Sequence, residues 1–410
     1  DDVSAVGVAL FGNGGMNSQY ASRDTFNGFG TYGGNIPVEF GGTNFYNLGG
    51  GNTGINYEQL GLSLTYSRDV MDGLSLGLSG ILAMQKIEVK GLGAFTPFTK
   101  TFTEAVVADP FGPGAGPNSL TDNGDDYSYG GGFSVGALWD INPMFSVGAM
   151  YRSKMWMGEF DDYEDTFAEG GDLDIPAVGA ICVAFKPNDQ LSFAFDIQHI
   201  WYSDVDAINN DNKLPARCDV GAVFGQPNFG GTYDPSYCLG GNNGPGFGWD
   251  DMTVFKIGVQ YELNPEWTLR AGYSHGDQPI SGSQVAFNVL APAVIEDHWT
   301  LGLTYALQDT YELTFWGMYA PEETVSGPGV FTGSSSPKIC ANRGIPSNGN
   351  MKPDSRIDGR RTKTVICIAW NCVFATVEIR RPSARFAAMN NAAARYRSMM
   401  LPRTGTAKSR

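Results

Sequence analysis

Most of the first 336 residues of this 410-residue chain alternate large apolar side chains with small or polar ones. Leu60, Leu62, Leu64 and Tyr66 interleave with Gly61, Ser63 and Thr65, and Phe255, Ile257, Val259 and Tyr261 interleave with Lys256, Gly258 and Gln260. Trp267, Leu269, Ala271 and Tyr273 do the same with Thr268, Arg270 and Gly272. A period of two is the signature of a strand with one apolar face, and it cannot sit still as a helix. Eleven such segments are readable, at about 3–11, 57–68, 74–86, 127–140, 144–158, 175–186, 190–203, 252–262, 266–275, 297–307 and 310–320. No apolar run reaches the roughly 18–20 residues of a membrane-spanning helix. With 55 glycines scattered along the chain, a helical bundle is excluded too.

The connections narrow the fold class further. Turns at 69–73, 141–143, 187–189, 264–266 and 308–309 are short, whereas the loops at 13–56, 91–126, 159–174, 204–250 and 276–296 are long. Short and long connections alternate without exception. That order is expected of a transmembrane antiparallel β-barrel with short periplasmic turns and long extracellular loops, an all-β fold. A soluble sandwich has no reason to keep it. The small face is rich in Gly, Ser and Thr, as suits a lumen, and Tyr or Trp recurs at the ends of the apolar face, as in an aromatic girdle. Bacterial barrels have an even strand number, so eleven implies missing neighbours.

Charge breaks the chain in two. Residues 1–336 hold 12 Lys/Arg against 40 Asp/Glu, and residues 337–410 hold 15 against 3. The expectation is a partial barrel over 1–336 and a basic, low-order tail over 337–410. That tail reads as either a disordered extension or, preferably, the product of a lost reading frame near Ser336. No function is expected of it, and it is not expected to supply a strand beside 310–320. A formal charge of −16 argues against nucleic acid, which needs clustered cations.

Catalysis finds little support. Gly73-Leu74-Ser75-Leu76-Gly77 matches the nucleophile-elbow pattern, but it opens an alternating strand instead of a strand-to-helix turn. His199, His275 and His298 are the three histidines, and none pairs in sequence with a serine and an acid. No metal-ligand spacing or dinucleotide fingerprint is present, so no enzyme, metal or cofactor is expected. Cys218 and Cys238 share one long loop in a compartment that permits disulfides and are expected to pair. Cys182 reads as a wall residue.

The segments GVALFGNGGMNSQY (7–20), GAMYRSKMWMGEF (148–160), LSFAFDIQHIWYSDV (191–205) and FGWDDMTVFKIGVQYELNPEWTLRAGYSHGDQPI (247–280) resemble the FadL family of outer-membrane long-chain fatty-acid transporters. VAFNVLAPAVIEDHWTLGLTYAL (285–307) and FWGMYAPEETVSGPG (315–329) continue the resemblance. It implies a fourteen-stranded barrel plugged by an N-terminal hatch, in the outer membrane of a Gram-negative cell. This chain would then be a fragment lacking the hatch and the closing strand, with 3–11 as the third strand. The implied function is passive, cofactor-free uptake of long-chain fatty acids or similar hydrophobic molecules, with lateral release through a kinked third strand carrying Gly7 and Gly12. A monomer is expected, surrounded by outer-membrane lipid and lipopolysaccharide. The rival reading is a structural or adhesive barrel, with an outer-membrane lipase a distant third.

Binding an amphipathic acid needs an apolar path and donors for the carboxylate. The lumen-facing parity holds Arg152, Lys154, Lys256 and Arg270, which read either as ligand contacts or as lumen ion pairs with Asp196, Glu262 or Glu312. Tyr151-Arg152-Ser153 resembles the family segment whose arginine contacts bound fatty acid. By the same resemblance an entry groove lies between the loops 87–126 and 159–174. Leu92, Phe95, Phe98, Val106, Val107 and Phe111 make the first loop unusually apolar, for ligand or for packing over the barrel mouth. The acidic run Asp161, Asp162, Glu164 and Asp165 reads as a solvated loop, with divalent-ion bridging to lipopolysaccharide as the alternative.

Overall fold

The computed structural model describes residues 3–20, 53–110, 119–212, 217–219, 221, 223, 232–285, 287–307, 311–327, 338–341, 365–368 and 373–379. The alternating segments form β1 (Ser4–Tyr20), β2 (Thr53–Met71), β3 (Leu74–Lys90), β4 (Asp126–Asn142) and β5 (Phe145–Arg152). After a two-residue β6 (Trp156–Met157) come β7 (Ala177–Asn188), β8 (Leu191–Trp201), β9 (Met252–Glu262), β10 (Trp267–Gly276), β11 (Asp297–Leu307) and β12 (Tyr311–Tyr319). The remainder are β13 (Glu323–Ser326), β14 (Lys338–Ala341), β15 (Val365–Ile368) and β16 (Val373–Ile379). One sheet runs β1-β2-β3-β4-β5-β7-β8-β9-β10-β11-β12-β16 with each strand antiparallel to its neighbours, and β6 pairs β4. A smaller sheet joins β13, β14 and β15. From β1 to β12 each strand pairs with the next in sequence, the two-residue β6 aside, and only β16 joins out of order.

The distribution of exposure is inverted relative to a water-soluble protein. Val8 and Leu301 are each 70% exposed, whereas Ser63 and Thr65 are 4% and 6% exposed. The buried hydroxyls pair with one another, Thr65 with Ser79 at 2.7 Å and Thr304 with Thr314 at 3.0 Å. An apolar outer face with a small, hydrogen-bonded inner face is stable only where hydrocarbon replaces water outside.

Aromatic pairs mark both ends of that outer face. Trp267 stacks on Tyr305 at 4.5 Å on the turn side, and Tyr273 on Trp299 at 4.4 Å on the loop side. Along β4, Trp139 and Tyr129 stand ten residues apart. At about 3.3 Å per residue and a strand tilt near 40°, that separation is roughly 25 Å across the membrane.

Three expectations change. β1 continues to Tyr20 and β2 begins at Thr53, so this hairpin rises beyond the band. The 144–158 segment breaks after Arg152, because Met155 turns to pair with Ile175, and it returns to β4 only as β6, one residue out of the β4–β5 register. The edge of β12 is paired by β16, seven residues of the tail. Val373, Ala375, Val377 and Ile379 alternate there with Phe374, Thr376 and Glu378, a pattern masked by the longer apolar run around it. An unpaired strand edge in hydrocarbon costs several kcal/mol per backbone group, which drives such pairing.

The inverted faces predict an asymmetry. Leu64→Arg, on the outer face, is expected to cost about 2–4 kcal/mol, whereas Ser79→Ala on the inner face, which loses the bond to Thr65, costs about 1 kcal/mol. Urea unfolding of the protein folded into lipid bilayers measures both, and equal costs would refute the assignment of faces.

Candidate functional site

The described parts of the loops that follow β3, β5, β8 and β10 pack on one another. After β3, a 3-10 turn at Gly93–Phe98 leads into α1 (Lys100–Ala108). Thr99 caps α1, its hydroxyl accepting from the Phe102 N–H, and Phe102 and Val106 lie on the buried side of the helix. Asp165, from the following long loop, accepts from the Thr101 N–H at 3.3 Å and from the Thr101 hydroxyl. That carboxylate ties the two loops together at the helix N-terminus; burial pushes the Asp165 carboxyl above its ordinary value, against the Thr101 hydrogen bonds that favour its charge.

A disulfide joins Cys218 to Cys238 within the loop that follows β8, and the backbone beside Cys238 fastens that loop to the one after β3. The Leu239 N–H donates to Phe98 O at 2.9 Å and the Lys100 N–H to Leu239 O at 2.8 Å. Gly240 has a φ of +80°, and a Cβ there would lie 2.6 Å from Glu164 O, so this crossing needs glycine. The fourth loop is held by Asn288, which accepts from Trp249 Nε1 at 2.6 Å and donates to Phe247 O and Gln284 O.

At the centre of these loops is an apolar cavity of about 30 Å³. Ile55 of β2 and Val89 of β3 form its floor side, with Phe95, Phe167, Phe247, Phe287, Leu239 and Leu290 around it. Phe95 meets Phe287 at 5.2 Å and Phe167 meets Phe247 at 6.3 Å. None of the lining residues is charged, and its hydroxyl, on Thr166, donates to Leu120 O. A space of that size holds about one water, so a larger guest must displace side chains. Such a dry, aromatic, convergent surface suits a hydrophobic ligand.

A polar chamber of about 220 Å³ adjoins the cavity across the segments 167–169 and 205–207. Glu169, Asp172, Asp174, Asp204 and Asp206 line it with Lys154. Lys154 Nζ lies 2.7 Å from Asp174 Oδ2. Burial depresses the Lys154 ammonium, but the hydrogen bond and charge of Asp174 outweigh it and hold the pKa above that of an ordinary lysine. Burial, then the charges of Asp174 and Glu169, push the Asp172 carboxyl up to about 6. Asp172 Oδ1 is buried and has no hydrogen-bond partner among the described residues.

The residues singled out by sequence separate into distinct places. Phe95 lines the cavity and Phe98 packs against its wall, while Phe111 lies outside the described residues. Lys154 is in the polar chamber. Arg152, at the end of β5, donates to Asn13 Oδ1 of β1. Lys256 donates to Gln198 Oε1 at 2.7 Å and lies 3.8 Å from Asp196. Arg270 bonds Gln260 Oε1 at 2.9 Å and Thr304 Oγ1 at 2.5 Å, inside the wall. The four cations are not brought together. Phe167, Phe247, Phe287 and Leu290 escape sequence reading, although large apolar residues inside otherwise polar loops were a signal for them. Ser75 donates to Asp69 Oδ1 at 2.5 Å in its own hairpin, away from any histidine pairing.

Residues 30–320 match the family model described as outer membrane protein transport protein (OMPP1/FadL/TodX). Among solved structures, the chain is similar to the Pseudomonas putida toluene transporter TodX at 17% identity, over 79% of this chain and 73% of that one, with a TM-score of 0.45. A Pseudomonas aeruginosa FadL homologue is similar at 15% identity, over 80% and 69%, with a TM-score of 0.47. The Ralstonia pickettii toluene transporter TbuX follows at 16% identity, over 78% and 73%, with a TM-score of 0.45. No curated protein matches the chain.

The chamber makes the loops pH-sensitive. A carboxyl whose pKa is raised by folding adds stability while protonated, and that contribution is lost as pH rises through the folded value. For Asp172 the loss falls between its ordinary value of 3.8 and about 6. Hydrogen exchange in 159–174 should therefore be faster at pH 7.5 than at pH 5, beyond the intrinsic rate change. Asp172→Asn should flatten the difference; an unchanged profile would refute the assignment.

Proposed function

The chain belongs to the outer-membrane transport protein family OMPP1/FadL/TodX, and from that premise we propose that it is a passive conduit for hydrophobic molecules. The observation that carries this reading is the uncharged, aromatic-walled cavity at the loop end of an outer-membrane sheet. An acyl chain gains about 0.8 kcal/mol for each CH₂ taken out of water, so the cavity collects poorly soluble molecules without an energy source. Its ligands are long-chain fatty acids, the cargo of the FadL resemblance, or aromatic hydrocarbons such as the toluene for which TodX and TbuX are named. We ascribe this conduit to 1–336 and no ligand contact to 337–410.

Between the two, the chemistry beside the cavity favours the neutral guest. No cation lines the cavity, and the adjoining chamber sets five carboxylates against Lys154. A carboxylate head would have to reach Arg152, which lies on the lumen side of the cavity; Phe95 and Phe98 would hold the tail in either case. Lys154, Lys256 and Arg270 already have carboxylate, amide or hydroxyl partners, which supports a structural part for them. Lateral release finds support in β1, whose pairing with β2 shifts between Gly12 and Gly14. Gly12, Gly14 and Gly15 leave Asn13 as the one side chain in that stretch of wall.

Cells lacking their own hydrophobe transporters test the reading directly. Expression of the protein should raise uptake of oleate, toluene or both, whereas a structural or adhesive barrel at equal surface level would raise neither. Arg152→Ala should weaken binding of a fatty acid by roughly tenfold, as loss of one charged hydrogen bond implies, and leave its methyl ester less affected. Equal loss for acid and ester would make Arg152 structural.

A further inference from the structure

The β1–β2 ladder runs in register from Ser4↔Arg68 to Gly12↔Leu60, then resumes at Gly14↔Gln59. Asn13 is the extra residue of this bulge, with no partner position on β2. Its side chain turns to the lumen. Asn13 Nδ2 donates to Gln59 Oε1 at 2.7 Å, and Gln59 Nε2 in turn contacts the Tyr57 hydroxyl at 2.5 Å. On its other side Asn13 Oδ1 accepts from Arg152 Nη1.

The partner's position makes this contact unusual. In the sheet order three strands, β2, β3 and β4, separate β1 from β5. Through this bond the Arg152 side chain reaches across the concave face of the sheet, past its ladder neighbours on β4 and β7. Tyr57 and Met16 pack against the apolar cluster that walls the cavity, and Gln59 is the next inward residue down β2 from Tyr57. The chain Tyr57–Gln59–Asn13–Arg152 thus leads from the edge of the apolar cluster across the inner face of the sheet. A rigid wall would not need a bulge here. An inserted residue flanked by glycines gives Asn13 local backbone freedom that a paired strand residue lacks.

We propose that the Asn13–Arg152 contact is a gate across the lumen beneath the cavity, closed by the side-chain pair and opened when a departing guest displaces it. This rests on the reading of the chain as a hydrophobe conduit and adds to it the residue that controls exit. The chemistry suits a gate. A hydrogen bond between a guanidinium and a neutral amide is stronger than a neutral pair yet weaker than a bidentate ion pair, so it closes without locking. An apolar guest cannot replace either partner, so the pair re-forms once the guest has passed.

The test turns on substitutions of opposite sign at Asn13, in the full chain in the outer membrane, with uptake normalised to folded protein. Asn13→Ala removes the acceptor and should raise uptake of toluene by roughly tenfold, the low end of what a hydrogen bond to a charged group is worth. Asn13→Asp turns the contact into an ion pair and should lower uptake by roughly threefold, as a half-exposed ion pair allows. If Asn13 were only a brace, both variants would change uptake in the same direction, and that outcome overturns the proposal. A second measurement closes the gate covalently. Asn13→Cys with Arg152→Cys, bridged by a photocleavable bis-maleimide with Cys182, Cys340, Cys367 and Cys372 replaced by Ala, should block uptake until light cuts the bridge. Uptake that persists through the bridge refutes the gate. Should the unmodified protein carry no hydrophobe, the conduit reading fails by itself. The gate is then decided by ion conductance in planar bilayers, where Asn13→Ala above wild type above Asn13→Asp supports it and equal conductance overturns it.

Discussion

Every backbone N–H and C=O that crosses hydrocarbon must find its partner within the protein, because no water is there to supply one. That requirement dictates the continuous antiparallel ladder that runs from β1 through β12 to β16. It also explains why β12 takes β16 as a neighbour, since a bare edge is the least tolerable feature of a membrane sheet. Once the ladder is set, pleating sends alternate side chains to opposite faces, and lipid selects the large apolar ones. The inner face is then left to Ser, Thr, Gly and a few charged residues that satisfy one another.

The loops obey the opposite rule. Above the membrane they are in water, so their apolar residues turn inward and make the compact cluster around Phe95, Tyr163 and Phe167. The cluster is fastened by the disulfide between Cys218 and Cys238, by Asp165 at the head of α1 and by the Asn288 hydrogen bonds. These fastenings come from different loops, so the cavity is a property of their assembly and not of any one loop. The result is a dry pocket seated on a polar lumen, with an acidic chamber at its side. A hydrophobic molecule is attracted to the first and gains nothing from the others, which suits passage more than retention.

Polar groups decide how that passage is organised. The lumen cations are held in hydrogen bonds within the wall, as Arg270 is between Gln260 and Thr304, or in the acidic chamber, as Lys154 is beside Asp174. Arg152 differs in reaching a residue that the strand ladder has left over. A bulge is costly in a membrane sheet because it interrupts the ladder, and the interruption here falls where the apolar cavity ends.

The alternation of Leu60–Leu64 or Trp267–Tyr273 determined the strands, their faces and their order, because a period of two has one structural meaning when turns alternate short and long. The aromatic ends of the apolar face determined the solvent. Sequence could not determine the cavity, since Phe95, Phe247 and Phe287 are far apart along the chain and meet only when loops from different hairpins pack together. It could not show that Lys154 faces Asp174 and its acidic neighbours while Arg152 faces Asn13, since parity places both on the inner face and says nothing about what stands across it. The tail strand 373–379 was hidden for a related reason: its weak alternation becomes a strand when β12 offers an edge to pair with. Local pattern fixes which way a side chain points, and only the tertiary structure decides what it meets there.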